Sequence, residues 1–395
     1  MTARDLDSVS TASASAAQPA DATVASEELS ILRISTDTYP DVLGGGALHA
    51  HEMSRLQAEM GHDVTLLTSD HGDSEQPRRE TRAGYAVQRY RQLARPFGNS
   101  ITPGMVPAIW RLAGDADIVH AHSHLYFSTN VAAALSRWTD TPLVVTNHGL
   151  HSQTAPLAVQ KVYAPISRLT FNAADRILCY TPMDCDRLRD RGVRAPISVI
   201  HNGIDCSLFS PEAADAERLC VLFVGRLKKT KGVGELLSAF GRIAAAVPEA
   251  TLTYVGDGPL RADLEARVAE ADLNDRVTFM GRLANDELPE IYAESAVFAL
   301  PSTLEGFPRT VLEAMACGTP VVTSDLPQLE DIVERVGATV PPDDIDALAR
   351  ELLALLTDPG RREHLGRTAR DCVLAEYSWA ETVQRTTDVY HDLLD

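Results

Sequence analysis

Short apolar runs alternate with longer amphipathic stretches along most of the chain. In the first half we predict strands at residues 30–35, 63–68, 118–122, 142–147, 176–180 and 197–201. Runs that are apolar on both faces and rich in β-branched residues are typical of parallel strands covered by helices. The pattern therefore predicts a doubly wound α/β domain over residues 29–206.

The alternation stops once and then resumes. Residues 207–218 are polar, acidic and alanine-rich around Pro211, which is typical of a linker between domains. Six further apolar runs follow, at residues 219–224, 251–255, 277–280, 297–300, 320–323 and 338–340. With 395 residues to accommodate, we predict a second doubly wound domain over residues 219–376 and a cleft between the two.

The two ends of the chain differ in character. Residues 1–28 are rich in Ala, Ser, Thr and Asp and nearly lack large apolar side chains, which predicts a disordered tail. Residues 377–395 show an amphipathic pattern, which predicts a terminal helix. We see no basic region followed by an apolar run at the start, and no stretch approaches the roughly 20 apolar residues that span a bilayer.

Composition indicates the cellular compartment and argues against some classes of partner. The net charge of −19 argues against nucleic acid and against broad electrostatic binding to anionic lipid. Six cysteines without a C-x-x-C pair indicate reduced thiols, so we expect a cytoplasmic protein, with peripheral membrane contact left open. The chain has four lysines, and Lys228, Lys229 and Lys231 share one loop, which makes that loop a candidate anion site.

The most informative segment joins two carboxylates eight positions apart. Glu305 precedes a Gly-x-Pro turn, in which Gly306 tolerates unusual backbone angles and Pro308 fixes φ near the start of a predicted helix. The first turn of such a helix offers N–H donors to an oxygen-rich ligand. With Glu305 on the turn and Glu313 about two turns into the helix, we expect both to accept hydrogen bonds from one polyhydroxylated ligand.

This segment resembles the E-x7-E motif of glycosyltransferase family 4, whose members are retaining enzymes with the GT-B fold. The resemblance extends over nearly the whole chain, from about residue 30 to 395. It also rests on Gly44-Gly45-Gly46, on Val199-Ile200-His201-Asn202-Gly203-Ile204-Asp205, and on Phe223-Val224-Gly225-Arg226-Leu227 followed by Lys231-Gly232. It implies two Rossmann-like domains that face each other across a cleft, with residues 377–395 packing back on the N-terminal domain.

The resemblance implies a nucleoside-diphosphate sugar, with UDP or GDP, as the donor. Arg226 and Lys231, beside Gly225, are expected to bind the diphosphate and to stabilise the charge on the leaving group. A metal fills that role in other transferases, so neither a metal nor another cofactor is expected.

The E-x7-E segment supplies the other implied donor contacts. Glu313 is expected to hold the ribose hydroxyls. Glu305 is expected to hold hydroxyls of the transferred sugar, together with the backbone N–H groups of Gly306 and Phe307.

Two features of the first domain complete the implied site. Gly45 and Gly46 follow the first strand and, by resemblance, let the backbone approach the donor phosphates and the acceptor. The run is not G-x-G-x-x-G and no acidic residue holds the usual ribose position, which disfavours NAD. His148 follows the strand at residues 142–147 and is implied to lie near the donor sugar, although a structural hydrogen-bonding role is open.

A histidine series offers a competing interpretation. His120, His122 and His124 alternate along a predicted strand, and side chains that share one face of a strand can bind a metal in a hydrolase. No H-E-x-x-H or H-x-x-E-H pattern is present, and the corresponding strand binds no metal in the family that the chain resembles. We therefore do not expect a metal site.

The function expected from the resemblance is sugar transfer with retention to an acceptor hydroxyl. The acceptor remains open among a lipid-linked glycan, a phospholipid headgroup, a polysaccharide, and a soluble sugar or polyol. The alternatives are a nucleotide-sugar epimerase of the same fold and a non-catalytic sugar-nucleotide-binding protein. Residues 157–169 carry Lys161 and Arg168 beside apolar residues, which fits either a packed helix or a helix on a lipid surface.

Overall fold

A computed structural model describes residues 28–42, 44–73, 75–150, 155–211, 219–305, 308–327 and 329–395. Nearly all of the predicted tail and residues 212–218 of the predicted linker lie outside the described residues. So do two predicted site residues, Gly306 and Phe307.

The first half of the described chain forms an eight-stranded sheet. Its strands are β1 (Ser30–Ile34), β2 (Asp63–Ser69), β3 (Arg79–Arg82), β4 (Tyr85–Tyr90), β5 (Ile118–His122), β6 (Leu143–Thr146), β7 (Arg176–Cys179) and β8 (Ile197–Val199). They lie in the order β3-β4-β2-β1-β5-β6-β7-β8, with every pairing parallel except that of β3 with β4. The order switches direction beside β1, so a crevice opens where the chains leaving neighbouring strands diverge.

The hairpin of β3 and β4 was not predicted from the sequence. Strand β3 is Arg-Glu-Thr-Arg, without an apolar run, and β4 alternates buried and half-buried residues because it lies near the sheet edge. The turn between them places Ala83 and Gly84 at φ angles of 45° and 87°. This geometry is typical of a two-residue hairpin turn.

Helices cover both faces of this sheet. They are α1 (Gly45–Glu59), α2 (Met105–Ala113), α3 (Phe127–Leu135), α4 (Leu157–Asn172) and α5 (Pro182–Asp190). Strand β1 shows why two layers are needed: Ile31 packs into one apolar cluster, whereas Leu32 and Ile34 pack into another on the opposite face.

The second half of the described chain repeats the plan with six parallel strands in the order β11-β10-β9-β12-β13-β14. The strands are β9 (Cys220–Val224), β10 (Thr251–Val255), β11 (Val277–Gly281), β12 (Val297–Leu300), β13 (Val321–Ser324) and β14 (Gly337–Val340). The helices are α6 (Val233–Ala246), α7 (Arg261–Glu270), α8 (Leu288–Ala293), α9 (Arg309–Ala316), α10 (Glu330–Val336), α11 (Ile345–Thr357) and α12 (Pro359–Glu376). The predicted pair of doubly wound α/β sheets is confirmed.

The last helix, α13 (Trp379–Leu394), packs on the first domain. Ser378 caps its N-terminus, and the Ser378 hydroxyl accepts a hydrogen bond from the N–H of Glu381. Further along, the Tyr390 hydroxyl lies 2.5 Å from His120 Nδ1 and accepts a hydrogen bond from Arg33 Nη2 at 3.3 Å. The chain therefore returns from the second sheet to the core beneath β1 and β5.

Candidate active site

The chain leaving β9 brings Lys231 to Glu305. A 3₁₀ turn over Lys229–Lys231 ends at Gly232, which has a φ of 66° and caps α6. A Cβ at Gly232 would lie 1.9 Å from the Pro301 carbonyl oxygen, so this turn requires glycine and is held against the end of β12. There Lys231 Nζ lies 2.5 Å from Glu305 Oε1, with both side chains largely shielded from solvent.

Arg226 lies at the same sheet end, with its side chain exposed. Within the described part of the chain it forms no ion pair. An exposed guanidinium beside a helix N-terminus can accept an anionic ligand without first breaking an internal contact. The predicted cations Arg226 and Lys231 thus both lie in the segment between the end of β9 and the start of α6.

The neighbouring turns pack against this loop through their backbones. A Cβ at Gly256 would lie 2.0 Å from the Gly225 carbonyl oxygen, and one at Gly258 would lie 2.4 Å from that of Leu227. The N–H of Gly256 also donates to the Gly281 carbonyl oxygen at 2.6 Å. The ends of β9, β10 and β11 therefore form one close-packed rim.

Glu313 lies about one turn into its helix, not two as predicted. Helix α9 begins at Arg309, directly after Pro308, so Glu313 is its fifth residue. The carboxylate is buried and accepts a hydrogen bond from the Tyr292 hydroxyl at 2.9 Å. Burial raises the pKa of Glu313, while Arg309 and the Tyr292 hydrogen bond partly offset this shift.

Arg309 is a site residue that the sequence reasoning missed. Its Nε lies 3.9 Å from Glu313 Oε1, one helical turn away, and its Nη1 donates to the Gly203 carbonyl oxygen at 3.3 Å. A Cβ at Gly45 would lie 3.7 Å from Arg309 Cδ, so the first-domain glycine loop faces the start of α9. The i, i+4 spacing of Arg309 and Glu313 was the available signal.

His148 faces this junction from the first domain. Its Nδ1 lies 2.7 Å from the Tyr180 hydroxyl and its Nε2 lies 3.0 Å from His122 Nδ1. A Cβ at Gly46 would lie 3.7 Å from His148 Nδ1, which places the predicted pair together. Burial lowers the pKa of His148 to about 4, so the ring is neutral at pH 7 and acts through hydrogen bonds rather than charge.

His49, on α1, is a second residue that the sequence reasoning missed. Its ring centroid lies 5.2 Å from that of His148 and 5.3 Å from that of Trp379 on α13. Its Nδ1 lies 3.0 Å from Asn202 Oδ1, and burial lowers its pKa. Its position four residues after Gly45, on the same face of the first turn of α1, was the sequence signal.

The three alternating histidines do not converge. Strand β5 ends at His122, and Ser123 takes a φ of 65°, which breaks the alternation before His124. The His120 and His122 rings stack with centroids 4.6 Å apart, whereas the His124 ring lies 4.6 Å from Phe171. The prediction that all three share one strand face is therefore wrong. No group of three or more His, Cys, Asp or Glu in the described ranges is arranged to hold a metal ion.

A cavity of about 660 Å³ opens beside Gly46 and His148. Such a volume suits a small organic ligand. Asp37, after β1, and Arg95 line it and pair at 3.3 Å, and burial raises the pKa of Asp37. The other lining side chains are mostly neutral and come from segments far apart in sequence: Ser35, Asn99, Ser123 and Tyr126 lie on loops, and Gln160 and Tyr163 lie on α4.

All six cysteines lie in described ranges, and none forms a disulfide. As far as the structure describes the chain, no helix is both long and apolar enough to cross a bilayer. The cytoplasmic location stays a prediction.

Comparisons with known proteins agree with this architecture. A family model described as Glycosyltransferase Family 4 matches residues 43–208, and one described as Glycosyl transferases group 1 matches residues 207–371. Glycogen synthase of Mycobacterium tuberculosis is 31% identical over 396 residues, covering 91% of this chain and 94% of that protein. D-inositol 3-phosphate glycosyltransferase of Salinispora tropica is 31% identical over 395 residues, covering 88% and 80%.

Solved structures give the same fold. Sucrose-phosphate synthase from Thermosynechococcus elongatus superposes with a TM-score of 0.74 at 27% identity, covering 92% of this chain and 98% of that one. HepE of Anabaena, solved in complex with UDP-glucose, superposes with a TM-score of 0.73 at 20% identity, covering 92% and 100%. These neighbours confirm the predicted GT-B fold. The chain therefore belongs to glycosyltransferase family 4 and acts as a glycosyltransferase.

Proposed function

We propose that the protein transfers a sugar from UDP- or GDP-sugar to an acceptor hydroxyl with retention of anomeric configuration. One observation carries this proposal. Two acidic–basic pairs, Lys231 with Glu305 and Arg309 with Glu313, lie at the rim of the second sheet, and Arg309 faces Gly45 of the first-domain glycine loop. HepE, which has the same fold, was solved in complex with UDP-glucose, and this supports a nucleotide-sugar as the donor.

The charges at the rim suit a diphosphate. Lys231 and Arg226 would bind the diphosphate oxygens, with the N–H groups at the start of α6 beside them. In the absence of donor, Glu305 offsets the charge of the shielded Lys231 at 2.5 Å. When the donor binds, Lys231 would contact both the phosphate and Glu305, and Glu305 would hold a hydroxyl of the transferred sugar.

Glu313 would hold the ribose hydroxyls. Its burial means that a ligand hydroxyl meets a carboxylate already stripped of water, which strengthens the hydrogen bond. Tyr292 and Arg309 fix the two carboxylate oxygens, so the group is oriented before the ligand arrives. The turns around Gly256 and Gly281 would border the nucleoside.

The transfer step needs no protein nucleophile in this proposal. The bond between the anomeric carbon and the diphosphate oxygen breaks, and the acceptor oxygen forms its new bond on the same face. The acceptor proton passes to the departing phosphate oxygen. The neutral His148 ring, whose two nitrogens contact Tyr180 and His122, would border the transferred sugar, and Gly45 and Gly46 would let the backbone approach the phosphates.

The acceptor would occupy the 660 Å³ cavity of the first domain. Its many neutral hydrogen-bonding groups suit hydroxyls of a sugar, a polyol or a lipid-linked glycan. The relatives named above act on a glucan and on an inositol phosphate by their names, so the family accommodates both kinds of acceptor.

A donor panel tests the proposal. Purified protein would be given UDP-, GDP- and ADP-sugars, and nucleotide release would be followed with no acceptor, with soluble sugars or polyols, and with a lipid extract. We expect acceptor-dependent release from a UDP- or GDP-sugar, an α-configured product from an α-configured donor, and the same rate in a metal chelator.

The alternative functions give different results in the same panel. An epimerase would convert the sugar of the donor without releasing nucleotide. A non-catalytic binding protein would bind a donor tightly with no release on any acceptor. An inverted product would contradict the retaining mechanism while leaving transferase activity in place.

A further inference from the structure

The loop between β4 and α2 places a bulky aromatic side chain beside the 660 Å³ cavity. Phe97 lies in a 3₁₀ turn over Pro96–Gly98, lines that cavity and is 51% exposed. Its φ of 51° and ψ of 37° lie in the left-handed region, which large side chains seldom adopt because the Cβ crowds the backbone. Such strain persists only where the surrounding structure enforces it, and it is concentrated at ligand-binding sites.

This loop is held in place at its base and near its tip. At the base, the N–H of Leu93 donates to the Ile101 carbonyl oxygen at 2.8 Å, and the N–H of Ile101 donates to the Ala94 carbonyl oxygen at 2.8 Å. Near the tip, Asn99 Nδ2 donates to the Leu125 carbonyl oxygen at 3.0 Å. The aromatic ring is therefore carried on a preorganised loop, so a ligand that packs on it orders little of the chain.

A charged pair is joined to the same turn. Arg95 Nε donates to the Gly98 carbonyl oxygen at 3.4 Å, across the turn that carries Phe97, and Arg95 Nη2 donates to Asp37 Oδ1 at 3.3 Å. His71 Nε2 lies 3.6 Å from the same carboxylate oxygen. Among the described lining residues, Asp37 is the only carboxylate and Arg95 the only guanidinium, and their charges offset each other.

We infer that Phe97 and the Asp37–Arg95 pair form an acceptor subsite for an uncharged six-membered polyol ring, either a pyranose or a cyclitol. The C–H bonds on one face of such a ring would pack on the aromatic face, which removes two apolar surfaces from water. Hydroxyls at the ring edge would accept from Arg95 and donate to Asp37, in hydrogen bonds strengthened by charge. The inference rests on the proposed function and names the chemical group by which the acceptor is held.

Two other kinds of ligand suit these residues less well. A phosphate on the ring would be repelled by the Asp37 carboxylate, which already offsets the charge of Arg95 at 3.3 Å. An alkyl chain would cover Phe97 but would take water from the charged pair without replacing its hydrogen bonds. A lipid-linked glycan would therefore be held by its sugar and not by its lipid.

A ligand-observed NMR titration measures binding to this subsite without turnover. Full-length protein without nucleotide would be titrated with glucose, maltotriose and myo-inositol, and with glucose 6-phosphate and myo-inositol 1-phosphate. We expect at least one uncharged compound to bind, and its phosphorylated counterpart to bind at least about tenfold more weakly, because the phosphate meets a carboxylate.

Replacing the aromatic side chain tests the packing surface. Phe97→Gly should weaken binding of the uncharged ring by about tenfold, because the aromatic face is lost. The variant should unfold at the same or a higher urea concentration, since glycine adopts a φ of 51° without strain. Phe97→Tyr keeps the aromatic face and should bind within about twofold of the parent. Leu93→Ala, at a 75% exposed position of the same loop outside the described lining, is the matched control and should bind like the parent.

Removing the carboxylate tests the selection against phosphate. Asp37→Asn leaves Arg95 without its counter-charge, so the ratio of phosphorylated to uncharged ligand binding should rise by at least about tenfold. This gain of phosphate binding is seen only if the variant is folded. Glu75→Gln, at an exposed acidic position outside the described lining, removes the same charge and should leave the ratio unchanged.

Three results would overturn the inference: no binding of any uncharged ring, equal or tighter binding of the phosphorylated compounds by the parent, and unchanged binding by folded Phe97→Gly. Failure of the proposed function gives a different result. No nucleotide release from any donor, combined with ring binding that Phe97→Gly weakens, would keep the subsite and reject the proposed transfer. Release that depends only on phosphorylated acceptors and is unchanged in Phe97→Gly would keep the transfer and reject the subsite.

Discussion

The two halves of the cleft differ in the charge of the side chains that they present. The second-domain half presents charges: Lys231 pairs with Glu305, and Arg309 with the buried Glu313. The first-domain half presents neutral rings, with His148 hydrogen-bonded to Tyr180, beside a cavity of about 660 Å³. Among the groups of the described chain that meet at this junction, the charged ones come mainly from one side.

This difference follows from what each half is proposed to hold. A diphosphate carries charge, so cations and helix N-termini recognise it whatever sugar is attached. An acceptor hydroxyl is neutral and is recognised by cavity shape and by hydrogen bonds. Mutations on the charged side should therefore affect every donor–acceptor pair alike, whereas changes on the neutral side should depend on the acceptor.

The largest effect is expected on the charged side. Lys231→Ala should lower kcat by about 10²- to 10³-fold, because it removes a cation from the position where leaving-group charge develops. Lys229→Ala, at an exposed lysine of the same turn, is the matched control and should stay within about twofold. Steady-state kinetics with a saturating donor would measure both.

The kinetics of Lys231→Ala should be interpreted together with a thermal unfolding scan of the same variant. Removing Lys231 leaves the Glu305 carboxylate shielded without its cation, which destabilises the fold on its own account. Lys231→Ala protein that is folded and retains more than a tenth of the parent kcat would remove Lys231 from the chemistry.

On the neutral side, His148 should contribute to the pH dependence of the free energy of unfolding. The pKa of His148 is about 4 in the folded protein and about 6.5 when unfolded, so the unfolded state binds more protons between these values. The associated stability, about 3 kcal/mol, is present above pH 6.5 and is lost as the pH falls toward 4. His148→Asn should lose correspondingly less stability over this range in urea unfolding.

The comparison with the parent measures the contribution of His148 together with its effect on His49, His120 and His122, whose pKa values burial lowers and the neighbouring His148 lowers further. Burial raises the pKa values of Glu313 and Asp37, which acts in the opposite sense, but both carboxyls are present in each protein and cancel. His364→Asn, at an exposed histidine, should leave the profile unchanged. Parallel profiles for the parent and His148→Asn would show that His148 is protonated as readily folded as unfolded.

An intermediate effect is expected at Glu313. Glu313→Gln should lower kcat/KM for the donor by roughly thirtyfold, since a hydrogen bond to a charged group contributes about 2 kcal/mol. A carboxyl whose folded pKa is raised lowers stability above that pKa, so the variant should unfold at the same or a higher urea concentration at pH 7.

The surface residue Glu334 supplies the control for that variant. Glu334→Gln removes one negative charge, as Glu313→Gln does, but from an exposed position. It should change neither the donor kcat/KM nor the urea concentration at which the protein unfolds. A Glu313→Gln protein that loses stability and keeps its donor kcat/KM would make Glu313 a structural partner of Tyr292 and Arg309 alone.

The charged half was largely predictable from the sequence because it is local. Glu305 and Glu313 lie within one strand–turn–helix unit, and Lys231 follows the first strand of the same domain. Strand ends meet at one edge of a parallel sheet, so the apolar runs were enough to bring these residues together. The depth of Glu313 in its helix was misjudged because the helix begins only after Pro308.

The neutral half could not be predicted from the sequence because its residues are far apart along the chain. Asp37, Arg95 and Tyr126 line one cavity from loops that share no motif, and their meeting depends on how several strands are ordered. His124 shows the limit of periodicity, since a single residue, Ser123, in a left-handed conformation redirects the chain. His49 was missed because its one sequence signal, the spacing of four residues from Gly45, does not show that His148, Asn202 and Trp379 lie around it.

The smallest effect is expected where the halves meet, at Gly46. This residue lies in the first turn of α1 with helical backbone geometry, so Gly46→Ala should stabilise the fold by about 0.5–1 kcal/mol. The new methyl would lie 3.7 Å from His148 Nδ1, in ordinary contact, but on the side from which ligands approach. We therefore expect a more stable protein with kcat/KM lowered by roughly fivefold, about 1 kcal/mol. Gly241→Ala, in the middle of α6 with open space around it, should give the same stabilisation with unchanged kinetics. If both variants were equally active, the glycine at position 46 would serve the helix alone, and close approach of a ligand to this backbone would be excluded.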